Sequence, residues 1–260
     1  MARITIDINK SVEQNASVYF EKAKKVKRKI EGAKEALEIT EKKLKKLEKQ
    51  KLKEDKIKEE QPEIIKTKKE WFDKFRWFYS SEGFLVVGGR DAATNEIVVK
   101  KHTEKGDLVF HTDMIGSPFF VIQAKNKEIG EKTIKETADA TVTFSRAWKL
   151  DMQNSSVFSC NPDQLTKEAP SGEYVPRGGF ITKGKLNYIE NKVSCAFGIY
   201  NGKVMAGPLD SIKKNCKTYV EIEQGREKGS SIAKYIQKKI GGNIDDIIRA
   251  LPSGGYKIKK

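Results

Sequence analysis

Residues 71–116 read WFDKFRWFYSSEGFLVVGGRDAATNEIVVKKHTEKGDLVFHTDMIG, and the order of parts in this stretch decides the fold. FLVVGG is a short apolar run of strand length, ended by two glycines. Asp91 follows as a helix cap, and a short helix is expected over Ala92 to Lys101. DLVFHTD is a second strand, and PFFVIQAK beyond the Met114–Ser117 turn a third. The leading aromatics Trp71, Phe72, Phe75, Trp77, Phe78 and Tyr79 form too apolar a cluster for a solvated base-stacking platform. Most of them are expected to pack the upstream helix against the globular part.

Downstream the pattern continues. Lys132 to Trp148 reads as one amphipathic helix with Ile134, Ala138, Val142 and Ala147 inward. Strands are expected at Val157–Cys160, Gly179–Thr182, Val193–Tyr200 and Thr218–Ile222, and helices over Ser230–Ile240 and Ile244–Leu251. Strands fill the middle and helices the ends, which defines an α+β fold. Upstream, Ala16, Tyr19, Ala23, Val26, Ile30, Ala33, Leu37, Thr40, Leu44 and Leu47 alternate three and four apart. That is a coiled-coil seam, with Ser11 or Asn15 placed to cap its start. Polar residues take over from Lys49 to Glu60, and Pro62 marks a break or a new first turn. We read an antiparallel helical hairpin whose second arm runs from about Pro62 to Phe75. Periodicity is equally satisfied by one long helix pairing with another chain, so the oligomeric state stays open. The expected division is a coiled-coil segment, 1–70, and a mixed α+β domain with C-terminal helices, 71–260.

The 260 residues carry a formal net charge of +15. The first 70 hold 21 Lys and Arg against 14 Asp and Glu, a net of +7 (21 − 14). Such an excess attracts polyanions, nucleic acid first among them. No apolar run approaches membrane-spanning length, so no membrane role is expected, and the N-terminus lacks the apolar core of a secretory signal. Cys160, Cys195 and Cys216 include no C-x-x-C pair; they fit apolar packing in a reducing cytoplasm better than a disulfide or zinc framework. No Walker loop, G-x-S-x-G elbow or H-E-x-x-H is present, and no cofactor is implied.

The candidate functional residues fall in four groups. Gly88-Gly89-Arg90-Asp91 offers close backbone approach, a helix N-terminus and a guanidinium fork suited to phosphate. Lys100 and Lys101 end the expected helix, where they meet either its dipole or a phosphate backbone. His111 and Asp113 share one face of a strand. They suit an acid–base pair, a turn-fixing pair or an RNA contact, and two histidines in the chain exclude a His-rich metal centre. Last, Lys167, Arg177, Lys183 and Lys185 are interleaved with Tyr174, Phe180 and Tyr188 around the turns at Pro170–Gly172 and Gly178-Gly179. Cations for phosphates beside aromatics for bases are how unpaired RNA is commonly held. For Phe180 a core position fits better.

Several blocks, in this order, resemble the NFACT family, whose members include the RqcH and NEMF proteins. KSVEQNASVYFEKAKKVKRKIEGA is similar to the start of its coiled coil. KFRWFYSSEGFLVVGGRDAATNE with HTD-x-x-G, and then APSGEYVPRGGFITKGKLNY, are similar to its RNA-binding domain. GREKGSSIAKYIQKKI and LPSGGYKI resemble archaeal C-terminal ends. The resemblance implies a ribosome quality-control factor, with tRNA and the rRNA of the large ribosomal subunit as partners. It implies binding of the large subunit carrying a stalled nascent chain and tailing of that chain without mRNA, the ribosome supplying the chemistry. It also implies that the family's large N-terminal domain lies outside this sequence, so the chain is expected to be a fragment or a reduced member. Two other classes remain: an RNA- or nucleotide-processing enzyme built on His111 and Asp113, and a coil-based protein adaptor.

Overall fold

The computed structural model describes residues 4–59, 69–169 and 174–259. The chain divides into two units, residues 1–62 and 63–260.

The first unit is one helix, α1 (Val12–Glu59), of 48 residues, about 72 Å long at 1.5 Å per residue. Of the two candidate caps, Ser11 is used. Its Oγ accepts from the Gln14 amide at 3.2 Å, and Gln14 Oε1 accepts from the Ser11 amide at 3.0 Å, a reciprocal capping box. Asn15 instead accepts from the Asp7 amide at 2.9 Å, tying the preceding loop to the helix. The seam residues Val26, Ile30, Leu37, Leu44 and Leu47 are all exposed. The polar stretch does not end the helix, since Lys, Leu and Glu are good helix formers whatever their polarity. Of the expected second arm, residues 62–68 lie outside the described residues. Trp71–Lys74 is a 3-10 turn, and Phe75 is already extended.

The second unit follows in this order: β1 (Arg76–Tyr79), β2 (Leu85–Gly88), α2 (Ala92–Lys101), β3 (Leu108–Thr112), β4 (Phe120–Ile122), α3 (Glu131–Thr143) and α4 (Arg146–Lys149). Then come β5 (Val157–Cys160), β6 (Leu165–Thr166), β7 (Ile181–Thr182), β8 (Asn187–Ile189), β9 (Cys195–Tyr200) and β10 (Lys203–Gly207). The chain closes with α5 (Leu209–Asn215), β11 (Tyr219–Glu227), α6 (Gly229–Ile240), α7 (Ile244–Ala250) and β12 (Tyr256–Ile258). Six strands form one sheet in the order β1-β2-β4-β3-β5-β8, and four form a second, β10-β9-β11-β12. All of these pairings are antiparallel, and the fold is α+β. Strand β6 pairs with β7 alone.

The aromatic run has a different role from the expected one. Its centre is β1, paired Trp77 to Val87 and Phe78 to Val86. Phe72, Phe75, Trp77 and Phe78 are buried in the core of this second unit. Such a dense run shows no alternation, which hides the strand from a period-2 reading. Helix α5 contacts both β1 and β9, and Asn215 Nδ2 donates to the Tyr79 and Ser80 carbonyls at 2.9 and 3.2 Å, joining the sheets.

Helix α3 packs on β3, β4 and β5 and is buried on most of its circumference. Its threonines satisfy themselves: Thr137 and Thr141 hydroxyls donate to the carbonyls four residues back, each at 2.7 Å. The single helix expected over 132–148 breaks at Phe144, because Ser145 accepts from the Ala147 amide and caps α4 anew. Cys160, Cys195 and Cys216 are buried free thiols; burial raises all three, Cys160 and Cys216 to about 11, which makes them inert packing residues. Among the described residues no helix is long and apolar enough to cross a membrane.

Asp139 on α3 carries a testable pH dependence. Burial pushes its carboxyl up from 3.8 to about 6, outweighing the hydrogen bond it accepts from the Lys192 amide at 2.8 Å. Between those values the folded chain holds a proton that the unfolded chain has released, so this group's contribution to stability falls as pH rises. Asp139→Asn keeps an acceptor oxygen for Lys192. Its melting temperature relative to wild type is expected to improve steadily from pH 4 to pH 7. A difference independent of pH would refute the assignment.

Candidate nucleic-acid interface

Helix α2 organises the cluster. Its N-terminus is closed by the protein itself: Asp91 accepts from the Thr94 amide at 2.8 Å, and Thr94 Oγ1 accepts from the Arg90 and Asp91 amides at 2.8 and 2.9 Å. The bond from the Thr94 amide, with that from the Thr94 hydroxyl, holds the Asp91 carboxyl below its usual range. The Thr94 amide at this helix start therefore already serves an internal carboxylate, and the Arg90 and Asp91 amides serve the Thr94 hydroxyl. The glycine pair is also committed inward. A Cβ on Gly88 would strike the Phe120 ring, and one on Gly89 the Asn95 side chain. Asn95 in turn donates to the Ser117 carbonyl and accepts from the Phe119 amide, both at 3.2 Å.

One turn into the helix, Glu96 gathers the cations. Lys100 meets it at 2.6 Å across an i, i+4 spacing, Lys167 at 3.5 Å, and the Gly178 amide donates to it at 3.3 Å. The Lys100 hydrogen bond first, then that of the Gly178 amide, lowers the Glu96 carboxyl to about 2. Glu96 thus fastens the segment around Lys167 and Gly178 to α2. The result is an open groove lined by Lys100, Lys101, Lys167 and Arg177, with Tyr174 at its side. Counting Glu96, the charge of this lining is +3 (4 − 1). Tyr174 is 83% exposed, an available aromatic face. Phe180 is half-buried, edge-on to Phe119 at 5.4 Å and covered by Lys167 Nζ at 4.6 Å, as a core residue would be.

The other expected residues stand elsewhere. Gln164 Nε2 donates to the Lys183 and Lys185 carbonyls at 2.9 and 3.0 Å, fixing that backbone. Lys183 makes only an exposed 3.6 Å pair with Glu168, which contributes little. His111 stacks on Phe119 at 4.0 Å, and its Nε2 lies 3.2 Å from the Ser117 carbonyl. Burial lowers its pKa, so the ring is neutral near pH 7 and donates to that carbonyl. Asp113 takes a 3.5 Å contact from the Tyr188 hydroxyl. Among the described residues His111 and Asp113 are not hydrogen-bonded to each other, and no group of three or more His, Cys, Asp or Glu side chains is placed to hold a metal. The turn at Pro170–Gly172 lies outside the described residues. Arg90 faces away from the groove and lines another cavity, with Arg76, Lys203 and Arg249. The last three are absent from the sequence reading; the available signal was Arg76, a cation set directly between the aromatics Phe75 and Trp77.

Residues 74–184 match the NFACT protein RNA binding domain, and residues 1–73 match the NFACT N-terminal and middle domains. The two matches together run through residues 1–184, and the chain belongs to the NFACT family. The archaeal Rqc2 homolog aRqcH of Methanocaldococcus jannaschii is 40% identical over 204 residues, covering 75% of this chain and 30% of that protein. The human ribosome quality control complex subunit NEMF is 36% identical over 183 residues, 67% of this chain and 16% of that protein. The NEMF homolog of Drosophila melanogaster is 34% identical over 192 residues, 72% and 18% respectively. The chain thus spans less than a third of the length of each of these relatives.

Proposed function

We propose that this chain is the RNA-binding part of a ribosome quality-control factor. In this reading it acts in the cytoplasm, contacts tRNA and the large ribosomal subunit carrying a stalled nascent chain, and supports tailing of that chain without mRNA. It contributes binding and positioning, and the ribosome makes the peptide bonds. The observation that carries the reading is the groove on α2, where four cations, two of them paired to Glu96, line one surface beside an exposed tyrosine. Family membership and the names of its relatives support it further. Lys183, Lys185, His111 and Asp113 are proposed as flanking RNA contacts. The exposed seam of α1 suits docking on a helical partner, which keeps an adaptor role for the coil alongside RNA binding.

The test is competition between labelled tRNA and generic duplex DNA across a salt series. Affinity for tRNA is expected to fall with salt at about 0.7 to 0.9 logarithmic units per phosphate neutralised, yet to exceed duplex affinity at every salt. Equal affinity for both acids throughout would overturn the reading, since the charge would then be acting without regard to RNA.

A further inference from the structure

The cavity into which Arg90 turns belongs to none of the contacts above. It lies between β1, β10 and α7, over a floor that includes Phe75, Trp77 and Phe144. Its lining contains five cations, Lys69, Arg76, Arg90, Lys203 and Arg249, and two carboxylates, Asp73 and Asp246, a net of +3 (5 − 2). The carboxylates do not serve the arginines evenly. Asp73 is taken by Lys203, with contacts of 2.9 and 2.6 Å. Asp246 reaches Arg249 only at 3.9 Å. Arg76 spends Nη1 on the Ala250 and Leu251 carbonyls at the end of α7, both at 3.2 Å, and lays its guanidinium over Phe144 at 4.4 Å. Arg90 has a buried Nε without a hydrogen-bond partner among the described residues.

A buried guanidinium donor left unpaired is costly, and such a group normally marks an absent anion or water. Other cations close by add to the cost. Burial first, and then Arg90, lowers Arg76 to about 10, while burial and then Arg249 lower Arg90. An anion between these groups removes both penalties. A planar guanidinium fork, with two further arginines lining the same cavity, suits the tetrahedral oxygens of a phosphate.

We propose that this cavity is a second phosphate site, separate from the α2 groove, in which Arg90 with Arg76 and Arg249 holds one phosphate group of RNA. For the source of the phosphate this rests on the RNA-binding reading; anion capture itself does not. Two sources share the chemistry, a diester within the strand and a terminal monoester. A terminal monoester is recognised through its extra charge, a diester through its place in the chain.

The direct probe is the Nε–H resonance of Arg90, assigned by its loss in Arg90→Gln. The full chain is titrated with inorganic phosphate, with a short 5′-phosphorylated RNA, and with the same RNA lacking that phosphate. The resonance is expected to move on addition of RNA, and Arg90→Gln and Arg249→Gln are each expected to weaken RNA binding by roughly tenfold. Movement only with the 5′-phosphorylated strand assigns a terminal monoester; equal movement with both assigns a backbone diester. If RNA binds but the resonance stays still and neither variant changes affinity, the proposal is overturned and the Nε binds water, with the RNA reading intact. If inorganic phosphate moves the resonance while no RNA binds at all, the anion site stands, its RNA source is overturned, and the reading of the groove fails with it.

Discussion

Gly89→Ala is expected to lower the melting temperature of the globular unit by roughly 5 to 15 °C. The added methyl would occupy the space of the Asn95 side chain and crowd its backbone nitrogen. Asn95 cannot simply rotate away, because it is buried and bonded to both Ser117 and Phe119. Either those bonds break, each leaving a buried group unpaired at about 1–3 kcal/mol, or α2 moves off the sheet. The total is on the order of 2–5 kcal/mol. Gly179→Ala is the comparison: its first new neighbour would be the Pro176 carbonyl at 3.4 Å, and little change is expected. Calorimetry of both variants decides the matter, and a Gly89→Ala protein as stable as wild type would mean that α2 is not held by this contact.

The second large effect is on RNA. Lys101→Glu with Arg177→Glu changes the charge of the groove lining from +3 to −1 (3 − 4). Neither side chain makes an ion pair among the described residues, so the fold is expected to survive. Two charge-assisted contacts are lost and replaced by repulsion, which weakens RNA binding by on the order of 100-fold or more at moderate salt. The salt slope should fall by about 1.4 to 1.8 units as well. Reversal of Lys183 and Lys185 is expected to do much less, because their side chains reach into solvent. Titration of labelled tRNA into the two double variants separates these cases; equal losses would place the groove on a par with the flanking lysines.

The parts of this architecture that were legible before the structure are those governed by local rules. Asp91 as cap and Lys101 as last residue of α2 follow from capping chemistry and periodicity alone, and β5 was bounded correctly by its apolar run. The missed strands β6, β8, β10 and β12 and the helix α5 have few residues and no clear alternation, and tertiary pairing decides them. The glycine pair misled for a related reason. Glycine reports close approach by something, and only the fold reveals that Phe120 and Asn95 approach rather than a ligand. Lys100, Lys101, Lys167 and Arg177 each stand out in the sequence as basic residues, but that they line one groove does not. Glu96 is the residue that assembles Lys100, Lys167 and the Gly178 backbone, and a lone glutamate in a helix carries no mark of that. Likewise nothing in the order Gly-Gly-Arg-Asp says that Arg90 turns toward residue 249.

An uninterrupted helix such as α1 also carries phase as well as length. One inserted residue would swing every later side chain by about 100° around the axis, so that Leu44 and Leu47 no longer continued the line begun by Tyr19 and Val26. Seven inserted residues would restore the line to within about 20° and lengthen the rod by about 10 Å. Change in this element is therefore tolerated in whole heptads, and its reach is quantised by the surface it presents.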